Sequence, residues 1–153
     1  MSSYEITFEE HPAEADLQIL DKGLEQHMES LFANSGNHPL TFFLRDEKDR
    51  IVGGVHGNYG KFGWLYIGAL WVSEKARGKE YGTQLMLRIE EAAIKAGCIN
   101  AYLDTFSFQA PAFYKKLGYT RFGELEDFPA GHSKIFFRKS LILPEGQAAP
   151  DDI

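Results

Sequence analysis

The sequence predicts one α/β domain with a mixed, mostly antiparallel sheet, and three observations lead to this prediction. Strand-like and helix-like apolar patterns alternate along most of the chain. In the second half a helical pattern separates two strand patterns, so those two strands should be parallel neighbours. The other strand patterns follow one another through short turns, which favours antiparallel pairing. We expect the domain to cover residues 1–142, and residues 143–153, which are poor in apolar side chains and broken by two prolines, to form a flexible tail.

The first half is predicted to be an antiparallel meander with a helix inserted near its start. Apolar residues alternate over Tyr4–Phe8 in the manner of a strand. From Ala13 to Phe32 they recur at three- and four-residue steps, which is typical of a helix, with Gly23 as a candidate break. Three strands separated by short turns are then predicted at Leu40–Arg45, Ile51–Tyr59 and Trp64–Val72.

The second half is predicted to alternate between helices and strands. A polar segment, 73–82, leads into an amphipathic helix that ends before Gly97, and its core face is predicted to consist of Leu85, Ile89, Ala92, Ala93 and Ala96. Ala101–Thr105 should be the strand that lies parallel to Trp64–Val72. A short helix and a closing antiparallel pair are then predicted at Ala110–Leu117, Tyr119–Glu126 and Ser133–Ser140.

Composition and charge exclude several classes of function. The formal net charge of −6 disfavours attraction to nucleic acid or to an anionic membrane, and it mildly favours a cationic substrate such as an amine. No apolar run approaches the ~20 residues that span a bilayer, and the start of the chain lacks a signal-peptide pattern. The single cysteine, Cys98, excludes an internal disulfide and fits a cytoplasmic protein. It follows a helix C-terminus, so we interpret it as structural. No His, Cys or Asp cluster has metal-ligand spacing, so we expect no metal.

The most informative segment joins a strand to a helix through a short basic loop. It reads Leu70-Trp71-Val72-Ser73-Glu74-Lys75-Ala76-Arg77-Gly78-Lys79-Glu80-Tyr81-Gly82-Thr83-Gln84-Leu85. Unpaired N–H groups and the positive end of the helix dipole make such a junction an anion site, and a phosphate group is its usual ligand. The segment lacks the fingerprints of NAD and ATP sites. An ordinary strand-to-helix turn can contain the same residue types, so the segment alone leaves phosphate binding open.

This segment resembles motif A of the GNAT superfamily of acetyl-coenzyme A-dependent N-acetyltransferases. The family pattern is an apolar strand, then R-G-x-G-x-G, then a helix, and the loop amides bind the pyrophosphate of coenzyme A. Arg77, Gly78, Tyr81 and Gly82 match the pattern, whereas Glu80 stands where the family usually has its middle glycine. A carboxylate near a pyrophosphate repels it, so we expect weakened or altered coenzyme A binding at worst.

A second segment, Leu103–Tyr119, resembles motif B of the same family. The family pattern A-x-x-F-Y-x-K-x-G-[FY] is matched in register by Ala110, Phe113, Tyr114, Lys116, Gly118 and Tyr119. Ser107 stands where an asparagine is common. The two motifs come in the family's order and together span about a third of the chain, which makes them far more specific jointly than singly. The run Asp127–His132 also resembles one GNAT subgroup.

The resemblance implies the GNAT fold and a specific binding site. In that fold the central sheet is mostly antiparallel, helices flank it, and two parallel strands splay apart so that the pantetheine arm of coenzyme A enters the gap. Leu70, Trp71 and Val72 would line the arm, and Arg77–Thr83 would hold the pyrophosphate. The implied cofactor-binding residues are Leu70, Trp71, Val72, Arg77, Gly78, Lys79, Glu80, Tyr81, Gly82, Thr83, Ser107, Ala110 and Phe113.

The resemblance also implies direct attack of a neutral amine on the thioester, with no acyl-enzyme. Tyr114 is the implied catalytic residue, because a protonated phenol can donate to the departing thiolate; the alternative is that Tyr114 only packs. No base is identifiable, and Asp104, Glu124 and His132 are each explained more simply as turn or surface residues. An acceptor pocket or the core can account for a set of first-half aromatic residues, Phe42, Phe43, Tyr59, Phe62, Trp64 and Tyr66.

These inferences predict an acetyltransferase that acts on a small-molecule amine with acetyl-coenzyme A as co-substrate. Two alternatives stay open, namely a protein or peptide N-acetyltransferase and a non-catalytic module that binds acyl-coenzyme A. We expect neither nucleic acid nor a membrane as partner. The acceptor, the acyl-chain preference and the oligomeric state, a homodimer included, are left open by the sequence.

Overall fold

A computed structural model describes residues 3–32 and 36–142. The chain divides into two compact units, of which the first ends at residue 35 and the second begins at Gly36. The expected flexible tail, 143–153, lies outside the described residues. The Asn, Ser, Gly and Pro residues of the run 34–39 also predict a loop, and its residues 34 and 35 lie outside the described residues too. Over the described residues, no helix is long and apolar enough to cross a membrane, and no group of three or more His, Cys, Asp or Glu residues is placed to hold a metal ion.

The first unit contains helix α1, Glu14–Leu31. This confirms the helix expected over Ala13–Phe32, and Gly23 lies inside it without breaking it. The strand expected at Tyr4–Phe8 is wrong, because residues 3–9 carry no regular secondary structure. A strand needs a neighbouring strand for its backbone hydrogen bonds, and the described part of the first unit contains only a helix.

In its described part, residues 36–142, the second unit contains a six-stranded sheet, two helices and one 3₁₀ turn. Its elements are β1 His38–Arg45, β2 Ile51–Tyr59, β3 Trp64–Val72, the 3₁₀ turn Glu74–Ala76, α2 Tyr81–Lys95, β4 Asn100–Phe106, α3 Pro111–Lys116, β5 Thr120–Leu125 and β6 Lys134–Ser140. The strand order is β1-β2-β3-β4-β6-β5. Every neighbouring pair is antiparallel except β3 and β4, which are parallel. The expected mixed, mostly antiparallel sheet with one parallel pair is confirmed.

The parallel pair is joined over a short seam. Cα partners run from Trp64 opposite Asn100 to Ile67 opposite Leu103, and the pairing stops there. Residues 68–72 of β3 and 104–106 of β4 continue past that point, each strand still paired on its outer side with β2 or β6. The two strands therefore splay at their C-terminal ends, as the resemblance implies.

Helix α2 covers one face of the sheet, where it packs on β1, β2 and β3. The buried residues of α2 are Leu85, Met86, Ile89, Glu90 and Ala93. Three expected core positions are thus confirmed, whereas Ala92 is half-buried and Ala96 is exposed. The buried stripe is shifted toward Met86 and Glu90, one of which is a carboxylate that an apolar periodicity cannot identify.

Glu90 is buried and fully paired. The ammonium of Lys139 on β6 donates to its Oε1 at 2.6 Å, and the hydroxyl of Tyr119 donates to its Oε2 at 3.2 Å. Burial, together with the Glu90 charge, strongly raises the pKa of the Tyr119 phenol, which therefore stays protonated. This network ties α2 and β6 to the turn between α3 and β5.

Candidate active site

A cavity of about 1010 Å³ lies where β3 and β4 separate. Ile67 and Leu103, the last paired residues of the seam, both contribute to its lining. The rest of the wall comes from the end of β3, Arg77, the end of β4, the turn after β4 and α3. The volume lies at the upper end of the range for small-molecule and cofactor sites.

The cavity brings together residues from both motifs. Eight predicted site residues line it, namely Leu70, Trp71, Val72, Arg77, Ser107, Ala110, Phe113 and Tyr114. The other predicted residues, Gly78, Lys79, Glu80, Tyr81, Gly82 and Thr83, lie outside the lining, in the loop before α2 and in its first turn. The two groups adjoin, because a methyl group added at Gly82 would lie 3.4 Å from the ring of Phe113.

The loop before α2 leads into backbone amides that lie outside the helical hydrogen-bond ladder. The first helical bond runs from the Gln84 N–H to the Glu80 carbonyl at 3.1 Å, so the amides of residues 81–83 precede the helical ladder. Gly78 and Glu80 both have positive φ, 79° and 63°. Arg77 donates from Nε to the Val72 carbonyl at 3.0 Å, which ties the loop to the end of β3. The left-handed conformation at residue 80 explains why glycine is favoured there; Glu80 adopts it with an exposed side chain.

Tyr114 lies half-buried on α3 with its ring held by three aromatic neighbours. Ring centroids lie 5.2 Å from Phe113, 6.2 Å from Tyr119 and 6.0 Å from Phe137. Burial raises the pKa of the Tyr114 phenol, and the negative charge of Asp104 raises it further. The phenol is therefore a proton donor at neutral pH.

The three candidate bases stand in different situations. Asp104 lines the cavity, but it accepts a hydrogen bond from the Tyr66 hydroxyl at 3.0 Å and pairs with the Lys134 ammonium at 3.5 Å. A hydrogen bond from Ser133 and the neighbouring Arg121 lower the pKa of Glu124, which weakens it as a base. Neither Glu124 nor the exposed His132 lines this cavity.

Sequence reasoning overlooked part of the cavity wall. Phe108 and Gln109 line it, and the Gln109 side-chain oxygen accepts hydrogen bonds from the Thr105 hydroxyl at 3.2 Å and the Phe106 N–H at 3.1 Å. The signal for them was the Phe106-Ser107-Phe108-Gln109 run directly after a strand. None of the first-half aromatic residues that were weighed for an acceptor pocket lines this cavity.

Comparison with known proteins assigns the family. The profile described as "Acetyltransferase (GNAT) family" matches residues 4–119. An acetyltransferase of Agrobacterium fabrum is 32% identical over 127 residues, which is 83% of this chain and 91% of that protein. The chain belongs to the GNAT acetyltransferase family, and the expectation of an acetyltransferase is confirmed.

Three further similarities are to one relative and two solved structures. The blasticidin-S acetyltransferase of Streptomyces morookaense is 35% identical over 96 residues, 62% of this chain and 70% of that protein. The crystal structure of an acetyltransferase from Bacillus cereus superposes with a TM-score of 0.80 at 36% identity, covering 88% of this chain and 97% of that one. An aminoglycoside 6'-N-acetyltransferase solved with coenzyme A shares the fold, with a TM-score of 0.59 at 22% identity over 85% of this chain and 89% of its own.

Proposed function

We propose that this acetyltransferase moves the acetyl group of acetyl-coenzyme A to the primary amine of a small molecule by direct attack. The observation that carries the proposal is the cavity at the splayed strands, which has Tyr114 in its lining and the loop before α2 beside it. Two relatives of the chain are named for small-molecule acceptors, blasticidin S and the aminoglycosides.

The residues around the cavity fit coenzyme A. The amides that precede the α2 ladder, with Gly78 and the basic side chains of Arg77 and Lys79, would hold the pyrophosphate. Within the described part of the chain, no strand pairs with residues 68–72 of β3 on the β4 side. Its backbone groups would bond the pantetheine amides in the manner of an added strand, with Leu70, Trp71 and Val72 along the arm. Ser107, Ala110 and Phe113 would flank it from the start of α3.

The chemistry asks two things of the protein. The acceptor nitrogen must be neutral to attack the thioester carbonyl, and the sulfur must be protonated as the carbon–sulfur bond breaks. Tyr114 would give its phenolic proton to the sulfur, and its raised pKa keeps that proton in place before the step. The proton that the amine loses passes to solvent, and solvent then returns one to the phenolate.

The first test is a panel of small amines with acetyl-coenzyme A, followed by the release of free thiol. Cys98 is only 1% exposed, so the protein adds little thiol background. Thiol release with at least one small amine is expected. Tight binding of acetyl-coenzyme A without thiol release from any amine or peptide would contradict the proposal and favour a non-catalytic module. Release with peptides alone would favour a protein acetyltransferase.

The second test is Tyr114→Phe, which keeps the ring and removes the hydroxyl. Because the hydroxyl acts only as charge develops on sulfur, kcat should fall about 10²–10⁴-fold while the Kd of acetyl-coenzyme A stays the same. Tyr59→Phe, at the end of β2 and outside the cavity lining, is the matched control and should turn over normally. A normal kcat in Tyr114→Phe would remove this residue from the mechanism.

A further inference from the structure

Three phenylalanine rings form a stack beside the cavity, and we refer to Phe106, Phe108 and Phe128 as the aromatic wall. Phe106 stacks on Phe108 with centroids 5.1 Å apart and planes 7° apart. The ring centroids of Phe106 and Phe128 lie 5.8 Å apart, and their planes make an angle of 24°. Phe108 lines the cavity and is nevertheless 58% exposed. An exposed apolar surface at a cavity is typical of a ligand contact.

Lys134 holds the wall together. Its ammonium lies 5.2 Å from the Phe128 ring centre, 5.9 Å from that of Phe106 and 3.5 Å from the Asp104 carboxylate. The chain before β6 is also tied to the end of β4, because the Ser107 N–H donates to the Ser133 carbonyl at 2.8 Å. The wall is thus assembled from residues of β4, the turn after it and the turn before β6.

Phe106, on which the other two rings of the wall stack, lies on the face of the sheet opposite Tyr114. Side chains alternate along β4, and Leu103 and Thr105 are buried on the core face. Tyr114 packs on Phe137, the register partner of Leu103 on that same face. Phe106 and its register partner Lys134 belong to the other face. An acceptor that lies along the wall therefore reaches the cavity without crossing the side on which α3 presents its phenol.

We propose that the aromatic wall binds the acceptor and selects amines that carry a planar, neutral ring; this rests on the proposed function. A planar ring can stack in parallel on the exposed Phe108, as Phe106 already does, whereas a saturated ring cannot. Lys134 already occupies the cation position on Phe106 and Phe128. The wall is therefore less favourable for a second cation than for an uncharged ring.

The experiment compares 3-phenylpropan-1-amine with 3-cyclohexylpropan-1-amine as acceptors. The three-carbon spacer keeps the ring from changing the reactivity of the amine, so the two compounds differ mainly in the ring. The cyclohexyl ring is more apolar than the phenyl ring, so a pocket that recognised only apolar surface would favour the cyclohexyl compound. A preference for the phenyl compound therefore indicates ring stacking. We expect kcat/KM to favour the phenyl compound about 3- to 10-fold.

Two variants test where the preference arises. Phe108→Leu keeps an apolar side chain but has no planar face. The ratio of kcat/KM for the phenyl compound to kcat/KM for the cyclohexyl compound should therefore fall to one or below, while the Kd of acetyl-coenzyme A is unchanged. Phe43→Leu, on β1 and 54% exposed, is the matched control and should keep the preference. Equal use of both amines by the wild type, or an unchanged preference in Phe108→Leu, overturns the inference and leaves the proposed function standing.

Failure of the proposed function is distinguished by a binding measurement. If no amine supports thiol release, calorimetry of 3-phenylpropan-1-amine with coenzyme A-saturated protein takes the place of turnover. Binding that Phe108→Leu abolishes supports the wall, and an absence of binding to the wild type overturns it.

Where turnover occurs, Lys134→Met should raise the acceptor KM several-fold at nearly constant kcat, and Lys134→Arg should restore the KM. An unchanged KM in Lys134→Met contradicts the positioning role of Lys134.

Discussion

Replacing Lys139 by methionine should destabilise the protein through the partner that it leaves behind. Glu90 is 5% exposed, and its carboxylate accepts from Lys139 at 2.6 Å and from Tyr119 at 3.2 Å. Removing one member of a buried ion pair typically costs about 3–5 kcal/mol, because the other charge stays buried without compensation. The Tyr119 hydrogen bond survives and the Lys139 side chain is itself 17% exposed. We therefore expect Lys139→Met to lower the free energy of unfolding by about 3 kcal/mol, the lower end of this range.

The assay is thermal and denaturant unfolding of four proteins in a double-mutant cycle. For a chain of this length the loss corresponds to a fall in Tm of roughly 6–12 °C in Lys139→Met. Glu90→Gln removes the charge but keeps an oxygen for the Tyr119 hydroxyl. Lys139→Met combined with Glu90→Gln should therefore recover most of the lost stability. A Tm for Lys139→Met within about 2 °C of wild type, or a double variant no better than Lys139→Met alone, would refute the reasoning.

Three further predictions concern the loop before α2, the phenol and the thiol. Glu80→Gly should raise the free energy of unfolding by up to about 1 kcal/mol and tighten coenzyme A binding a few-fold. Glu80→Ala should tighten binding without the gain in stability, because a β-carbon is still held at φ 63°. Weaker coenzyme A binding in both variants would mean that the loop uses this carboxylate. Because the pKa of the Tyr114 phenol is raised, a loss of kcat caused by its deprotonation should begin above pH 10, the ordinary pKa of a phenol being about 10. This loss should be absent in Tyr114→Phe. A phenol-dependent fall in kcat centred below pH 10 would contradict the prediction. Burial raises the pKa of the Cys98 thiol, so thiol reagents should label the native protein far more slowly than the denatured one, and equal rates would show that this thiol is accessible.

The sequence was most informative where local pattern and tertiary environment agree. Ile51–Tyr59 and Trp64–Val72 were predicted with the bounds that the structure has, because both are apolar strands bracketed by turn residues. The parallel pairing of β3 and β4 followed from the intervening helix alone. Tyr4–Phe8 failed because an alternating pattern does not say whether a partner strand is available.

The acceptor side of the site could not be predicted from the sequence. Lys134 meets Phe106 because β6 inserts between β4 and β5, and the two residues are register partners. Local periodicity carries no information on such pairings between strands far apart in sequence. Asp104 was considered as a base, yet the structure gives it Tyr66 and Lys134 as partners, from strands on either side of it.

The short seam between β3 and β4 divides the sheet into two three-stranded ribbons, β1–β2–β3 and β4–β6–β5. Beyond Ile67 and Leu103 no ladder bonds join the ribbons, so the tips can separate without breaking a backbone hydrogen bond between them. A ligand that bonds both free edges would join the two ribbons at their tips into one cooperative unit. Amide hydrogen exchange should then slow together at residues 68–72 and 104–106 when coenzyme A binds, although these segments belong to different ribbons.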